Sequence, residues 1–521
     1  MLTSSLVPVR SVPARPKLES SVVAARDVLA ARVLDSIDAE GAIVGECESR
    51  VLESAIALCV LVRLDLYPAA RERIVGYLRQ QWLAAPLDPF HHALIASALG
   101  WDARLDPIAA VDAYLDDFEH FTSARKRVLF QVILAAIGGT RVEVELAPEA
   151  FVAGPEQHSW VAVLMRALEV LYFCSRGEPH RISPEAIAPL LESAQPMPGG
   201  VWEQYLFGHL LTLLALLELP AHRESARRGA INLINLQRPD GGFSFITKME
   251  IFATATAGLG LVGAGVERRS LYGAGDFLIR HQQRDGGWGY ADGVRQTDVD
   301  DTAYCVEFLR ALDPLRYAPA LRRAETYLLA IQNDDGGFPT FTRGSASEVA
   351  MTAAALNALA PSRHRHPDVF RRGVEFIVTN QQHDGTFERS WSCAHSNAIF
   401  RALLAIQTAS EDMAQVERVA AERRALSYLR LSQNENGGWG HVIGDDSDPI
   451  SSAYALITLS HFDAEYTIGR GIEYLVHQQR CNGGYLSRPD GSGPRPIAYD
   501  VPALADHFAL IALDHVISTH R

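Results

Sequence analysis

A short string recurs six times between residues 237 and 485 of this 521-residue chain. The copies are Gln237-Arg-Pro-Asp-Gly-Gly-Phe243, Gln283-Arg-Asp-Gly-Gly-Trp288, Gln332-Asn-Asp-Asp-Gly-Gly-Phe338, Gln382-His-Asp-Gly-Thr-Phe387, Gln433-Asn-Glu-Asn-Gly-Gly-Trp439 and Gln479-Arg-Cys-Asn-Gly-Gly-Tyr485. Their glutamines stand 46 to 51 residues apart, a period that belongs to an array or a closed ring of like units. Each copy ends an apolar helical stretch, such as Ala274 to Ile279 or Tyr327 to Ile331. Asp-Gly-Gly supplies a turn at positive φ, the aromatic packs back, and the Gln bonds backbone groups at helix ends. The string is then a structural clip that builds the fold and does no chemistry.

Between clips the chain reads as helices in pairs, with apolar residues at i, i+3, i+4 and i+7 spacing. The pairs are Glu250–Val262 with Arg269–Gln283, Thr302–Leu312 with Ala318–Gln332, Ser347–Leu359 with Val369–Gln382, and Ser452–His461 with Ile468–Gln479. A ring of inner and outer helices is an α/α barrel, so the expected fold class is all-α. Residues Glu46 to Leu217 are also helical but lack clear clips, which predicts a second helical domain with a diverged repeat. Breaks are expected at Glu145–Glu156 and at Gln195–Gly200.

The chemistry-bearing string is Asp298-Val299-Asp300-Asp301-Thr302-Ala303. Three carboxylates this close repel one another, and where they are partly desolvated at least one keeps its proton. A carboxylic acid neutral at pH 7 is a general acid suited to a poor base. Taken alone, the string fits a metal site or a solvated acidic turn equally well.

The string sits directly after a clip and opens the next inner helix, and together they resemble the class II terpene cyclases, the superfamily of squalene–hopene and diterpene cyclases. The resemblance covers roughly residues 155 to 515. It implies two α/α barrels, called β and γ, with an active-site cavity between them. On that pattern residues 1–19 are a flexible tail, 20–40 the first helix of the β domain, 41–240 the γ domain and 241–521 the rest of β. The implied reaction is cyclisation started by protonating an alkene. Asp300 would donate the proton, and Asp298 and Asp301 would hydrogen-bond and orient it. Trp160, Phe252, Tyr304 and Trp391 fall where the family places cavity aromatics; each also reads as an ordinary core residue. Where the hopene cyclases have a His beside the acid, this chain has Ala354, which leaves His395 or Asn397 to position Asp300.

Aromatics make up only 8% of the chain and mean hydropathy is +0.01. The longest apolar run, Leu210–Leu217, is too short to span a bilayer. Few aromatics and no membrane plateau favour a shorter prenyl diphosphate over squalene, C20 geranylgeranyl diphosphate first and C15 farnesyl diphosphate next. The resemblance is to copalyl- or halimadienyl-diphosphate-synthase-type enzymes, which yield a mono- or bicyclic terpenyl diphosphate. A buried diphosphate needs cationic partners. Lys248, Arg343, Arg389 and Arg495 lie on loops beside the clips, though each alone also reads as a surface charge. Mg²⁺ is expected with the diphosphate, with Glu46 and Glu48 as candidate ligands; Glu53 follows them, and the stretch equally reads as an amphipathic helix start.

Asp116-Asp117-Phe118-Glu119-His120 lacks the last Asp of a DDxxD ionisation motif, so a separate enzyme is expected to take the product on. A net charge of −14 argues against nucleic acid. Six scattered cysteines and no apolar leader segment between Met1 and Lys17 fit a reducing cytoplasm without integral membrane association. Two other readings remain open: a squalene-type or meroterpenoid cyclase whose substrate has no diphosphate, and a barrel subunit like that of protein prenyltransferases.

Overall fold

The computed structural model describes residues 20–84, 87–101, 106–116, 118, 120, 122–138, 142, 145–152, 159–197, 199–408, 415–462 and 465–519. Residues 1–19 lie outside that set. Six helices wall the inside of the larger barrel: Glu250–Gly263, Val299–Leu312, Val349–Leu359, His395–Gln407, Pro449–Phe462 and Ala503–Thr519. Each packs on the next, and the last packs on the first, so the ring closes. Five outer helices alternate with them, Tyr272–His281, Ala318–Ile331, Pro367–Thr379, Gln415–Leu431 and Glu465–Gln478. The sixth outer place is filled from the far end of the chain by Ser20–Asp35, which packs on Ala503–Thr519 and Glu465–Gln478.

The clips explain how such a ring closes. In each copy a Gln Nε2 donates to the carbonyl four residues on and to a carbonyl near the start of the next outer helix. Gln282 reaches Gly286 O at 2.7 Å and Ala320 O at 3.0 Å; Gln479 reaches Gly483 O and Ala25 O, both at 2.9 Å. The Ala25 contact ties the last clip to the first helix. In the second and fourth copies the clip residue is Gln282 and Gln381, one place before the glutamines that the sequence comparison aligned. Gln283 and Gln382 turn elsewhere, to Val294 O and to Thr386 Oγ1. Gly286 has φ +99°, and a Cβ there would lie 2.5 Å from Arg323 O, so the turn requires glycine. Trp288 and Trp439 are fully buried, and each indole N–H donates to a carbonyl of the preceding helix at 2.7 Å.

A smaller ring of Val51–Leu64, Pro89–Leu99, Ser123–Gly138, Ser159–Ser175 and Leu206–Leu217 closes in the same way. The Gln237 clip belongs to it, bonding Ala70 O at 3.0 Å in its outer helix Pro68–Ala84. The expected breaks near 145–156 and 195–200 fall inside this ring, and 153–156 lie outside the described residues. Ser49–Arg50 pairs antiparallel with Phe243–Ser244 at the close of this ring, and Arg50 ties it to the larger one. Arg50, paired with Glu53, donates to Gly493 O at 2.5 Å and Ala498 O at 3.1 Å. Glu53 is thus a fully buried partner of Arg50 rather than a metal ligand. Among the described residues no helix is long and apolar enough to cross a membrane.

Candidate active site

The larger barrel presents the N-terminal turns of all six inner helices to one cavity. Met249 and Phe252, Asp298, Asp300, Asp301 and Tyr304, Ala350 and Met351, Asn397 and Arg401, Tyr454, and Leu504 and Phe508 line it. The smaller ring covers that mouth with Trp160. This inner chamber has a volume of ≈ 110 Å³ and is walled mainly by apolar and aromatic side chains. A second chamber of ≈ 420 Å³ adjoins it, sharing Trp160, Phe245, Thr340, Phe341 and Trp391 as common wall.

The acidic string opens a helix three residues earlier than periodicity suggested, because Asp298 caps it. Its carboxylate accepts from Asp301 N at 2.8 Å, which meets an orphan donor of the first turn. Asp298 and Asp301 are buried side by side, whereas Asp300 keeps 25% of its side chain open to the chamber. Burial pushes the Asp298 carboxyl up to about 6, against the pull of its hydrogen bonds to Asp301. Burial and the Asp298 charge push Asp301 well above the carboxylate range, so Asp301 holds the proton the pair shares. Burial also raises Asp300, while Arg401 opposes the rise.

Arg401 is the partner of Asp300, at 3.4 Å, with Glu307 on its other side at 3.1 Å. Its guanidinium also lies 3.8 Å from the Tyr304 ring centroid, a cation–π contact that helps hold the charge in place. Neither proposed partner does this. Asn397 lines the chamber but hydrogen-bonds Tyr454, and His395 lies against the Tyr428 ring, outside the lining. Ala354 is buried within its helix. Arg401 belongs to no motif, yet a lone charge inside the apolar run from Ala398 to Ile406 signals a buried, paired cation.

All four candidate aromatics line the inner chamber, joined there by Phe245, Tyr290, Phe341, Tyr454, Tyr499 and Phe508. Of the four candidate cations only Arg495 reaches a chamber, the outer one. Its guanidinium pairs with Glu348 at 2.8 Å, bonds His120 at 2.7 Å and covers the Trp391 ring at 4.8 Å. Lys248 pairs instead with Glu250, exposed Arg343 pairs with Asp334 at 2.9 Å, and exposed Arg389 donates to Cys393 O at 3.3 Å. These three are not brought to either chamber, because their loops turn outward from the clips. Beside Arg495 stand two cations that sequence analysis did not single out, Arg125 and Lys126. Neither has an acidic partner among the described residues. Burial and then the neighbouring cations hold both below their usual range, Lys126 well below. The signal was present: a basic run, Arg125-Lys-Arg127, occupies the first turn of Ser123–Gly138, where the helix dipole disfavours cations.

Glu46 and Glu48 share Arg238 as partner, at 3.3 and 3.1 Å, and line neither chamber. Among the described residues no group of three or more His, Cys, Asp or Glu side chains could hold a metal ion. The residues at Glu46 and Glu48 therefore do not fit the expected Mg²⁺ site.

Family models match two stretches, the squalene-hopene cyclase C-terminal domain over residues 344–515 and the prenyltransferase alpha-alpha toroid domain over 201–369. The chain is 43% identical to a drimenyl diphosphate synthase of Streptomyces showdoensis, over 96% of each chain. The chain belongs to the class II terpene cyclases. A drimenyl diphosphate synthase of Streptantibioticus cattleyicolor is 44% identical to this cyclase, over 99% of this chain and 98% of the relative. In fold the cyclase is similar to the ent-copalyl diphosphate synthase from Streptomyces platensis, with a TM-score of 0.59 and 17% identity over 95% of this chain and 100% of the other.

Proposed function

We propose that the cyclase protonates farnesyl diphosphate and closes it to a bicyclic, drimenyl-type diphosphate with the diphosphate retained. The observation that carries this is the likeness, over nearly the whole chain, to two drimenyl diphosphate synthases. It reverses the order of substrates expected from composition, putting C15 before C20.

Asp300 is the proton donor. Burial favours its protonated form, and of the three aspartates that line the chamber it is the most open. An alkene is a very poor base, so the acid must be strong once substrate is bound. Arg401 supplies that strength by stabilising the carboxylate left behind. The Asp298–Asp301 pair fixes the helix start and holds the backbone that aims Asp300. The aromatic walls face the cation with their negative quadrupoles, and the covering ring keeps water from capturing it. The diphosphate lies in the outer chamber against Arg125, Lys126 and Arg495; the first two have no acidic partner among the described residues, and cations so placed are what a buried diphosphate requires.

The test is incubation of the purified protein with farnesyl diphosphate, geranylgeranyl diphosphate and squalene, with and without Mg²⁺. Products are analysed before and after phosphatase. A bicyclic C15 alcohol that appears only after phosphatase is expected. A hydrocarbon released without phosphatase, or turnover of geranylgeranyl diphosphate alone, would overturn the reading.

A further inference from the structure

We propose that Asp490 is the base that ends the cyclisation, taking the proton that converts the last cation to an alkene. This rests on the cyclisation described above. Among the described residues Asp490 is the one carboxylate lining the inner chamber that does not belong to the Asp298–Asp301 string. It lies in no clip and no helix, on the segment that follows the last clip at Tyr485.

Its placement suits the chemistry. In the ring of six inner helices, Val299–Leu312 is second and Pro449–Phe462 fifth, so they face each other across the barrel. Asp300 sits at the start of the second. Tyr454, on the fifth, donates its hydroxyl to Asp490 Oδ2 at 3.1 Å. Ser392 Oγ donates to Oδ1 at 2.8 Å, and Cys393 N donates to the Asp490 carbonyl at 2.7 Å. The acid and this carboxylate are therefore held on opposite sides of one chamber. Each ring closure forms a C–C bond from an alkene and moves the positive charge to the next alkene carbon. After two closures the charge has left the end that Asp300 protonated, and the base must stand away from the acid. The Asp298–Asp301 pair shares its own proton, and Asp300 has become an anion held by Arg401. Asp490 is the carboxylate that remains.

The closing step balances. A C–H bond next to the final cation breaks, its electron pair becomes the new C=C bond, and the proton passes to an Asp490 oxygen. Behind Asp490 stands His441. Its Nε2 is buried without a hydrogen-bond partner and lies 3.9 Å from both Asp490 Oδ1 and Asp448 Oδ2. His441 takes the proton onward and returns Asp490 to its carboxylate, while Asp300 is reprotonated from solvent between turnovers. Burial raises the Asp490 carboxyl, which makes it a better base than a solvated aspartate.

The experiment compares Asp490→Asn and Tyr454→Phe with wild type on farnesyl diphosphate, in H₂O and in D₂O, with thermal melts to confirm folding. Positioned bases contribute about 10²- to 10⁴-fold, so Asp490→Asn is expected to form the wild-type alkene at least about 10²-fold more slowly. Its cation then ends by other routes, as a hydroxylated bicyclic diphosphate or a different alkene isomer, or it reverts. Reversion leaves deuterium at the terminal alkene of recovered substrate. Tyr454→Phe is expected to shift the product mixture the same way, but less. A folded Asp490→Asn protein that makes the wild-type product at the wild-type rate overturns the proposal. So does one that makes no product and returns unlabelled substrate, since initiation rather than termination has then failed. If wild type itself does not turn over farnesyl diphosphate, the reading of the reaction falls first and this proposal with it.

Discussion

Replacing Arg401 by Met tests the electrostatic part of the mechanism and gives two readouts that move in opposite directions. In wild type the guanidinium lies 3.4 Å from Asp300 Oδ1. At an effective dielectric of 20, unit charges that far apart attract by about 5 kcal/mol. Glu307, at 3.1 Å, shares the cation, so about half of this, roughly 2.5 kcal/mol, is available to the Asp300 anion formed on proton transfer. At 1.36 kcal/mol per decade that is about a 10²-fold fall in kcat for Arg401→Met. Loss of the cation also raises the Asp300 pKa, because Arg401 opposes the rise caused by burial. The acid must be protonated to work, so activity falls as pH rises through that pKa. In the variant this alkaline limb of kcat/KM moves to higher pH even as the plateau drops. Arg401→Lys, which keeps a charge, should recover part of the rate and part of the limb position. The assay is initial rate against pH with farnesyl diphosphate, with a thermal melt for each variant. A variant that is folded and slow, but whose limb stays in place or moves to lower pH, would refute the reasoning. Arg401 would then shape the cavity and leave the acid untuned.

Four further outcomes follow from the same geometry. Asp300→Asn should lower turnover by at least about 10⁴-fold, the upper range for a general acid, with farnesyl diphosphate binding by calorimetry little changed. Arg125→Ala and Lys126→Ala should each raise KM for farnesyl diphosphate about tenfold or more with a smaller effect on kcat, and should weaken inhibition by inorganic pyrophosphate in parallel; an unchanged KM would remove the diphosphate from the outer chamber. Gln479→Ala loses two hydrogen bonds, one closing the last clip at Gly483 O and one tying it to Ala25 O of Ser20–Asp35, worth about 1 kcal/mol each, so denaturant unfolding should show a loss of about 2 kcal/mol. Asp298, raised from 3.8 to about 6 by burial, binds a proton more tightly folded than unfolded. Its stabilising contribution is therefore complete below about pH 4 and lost as pH rises through about 6. The Asp298→Asn protein should lack that slope, and an identical pH–stability profile for the two proteins would count against the buried pair.

The clips and the Asp298–Asp301 string were legible because their physics is local. A Gln followed by Asp-Gly-Gly and an aromatic needs only its own turn and one neighbouring helix, so a repeat of such strings already implies a ring of helix pairs. Carboxylates spaced as Asp298, Asp300 and Asp301 must perturb one another wherever they are buried. Two details escaped that reading for local reasons too: adjacent glutamines made the register of the second and fourth clips ambiguous, and the Asp298 cap began the helix earlier than its apolar period. The rest depended on which residues meet across the fold. Arg401 lies 101 positions from Asp300 and becomes its partner only because two inner helices enter one chamber with their N-terminal turns together. Arg125 and Lys126 join Arg495 only because the smaller ring is laid over the mouth of the larger one. Lys248, Arg343 and Arg389 look as suitable in sequence as Arg495, yet their loops turn outward to other partners, Glu250, Asp334 and the Cys393 carbonyl. Local strings specify turns, caps and charge repulsion, which decay within a few residues. Pairing of buried charges is set by burial itself, because the cost of an unpaired charge arises only once the tertiary structure has removed the water.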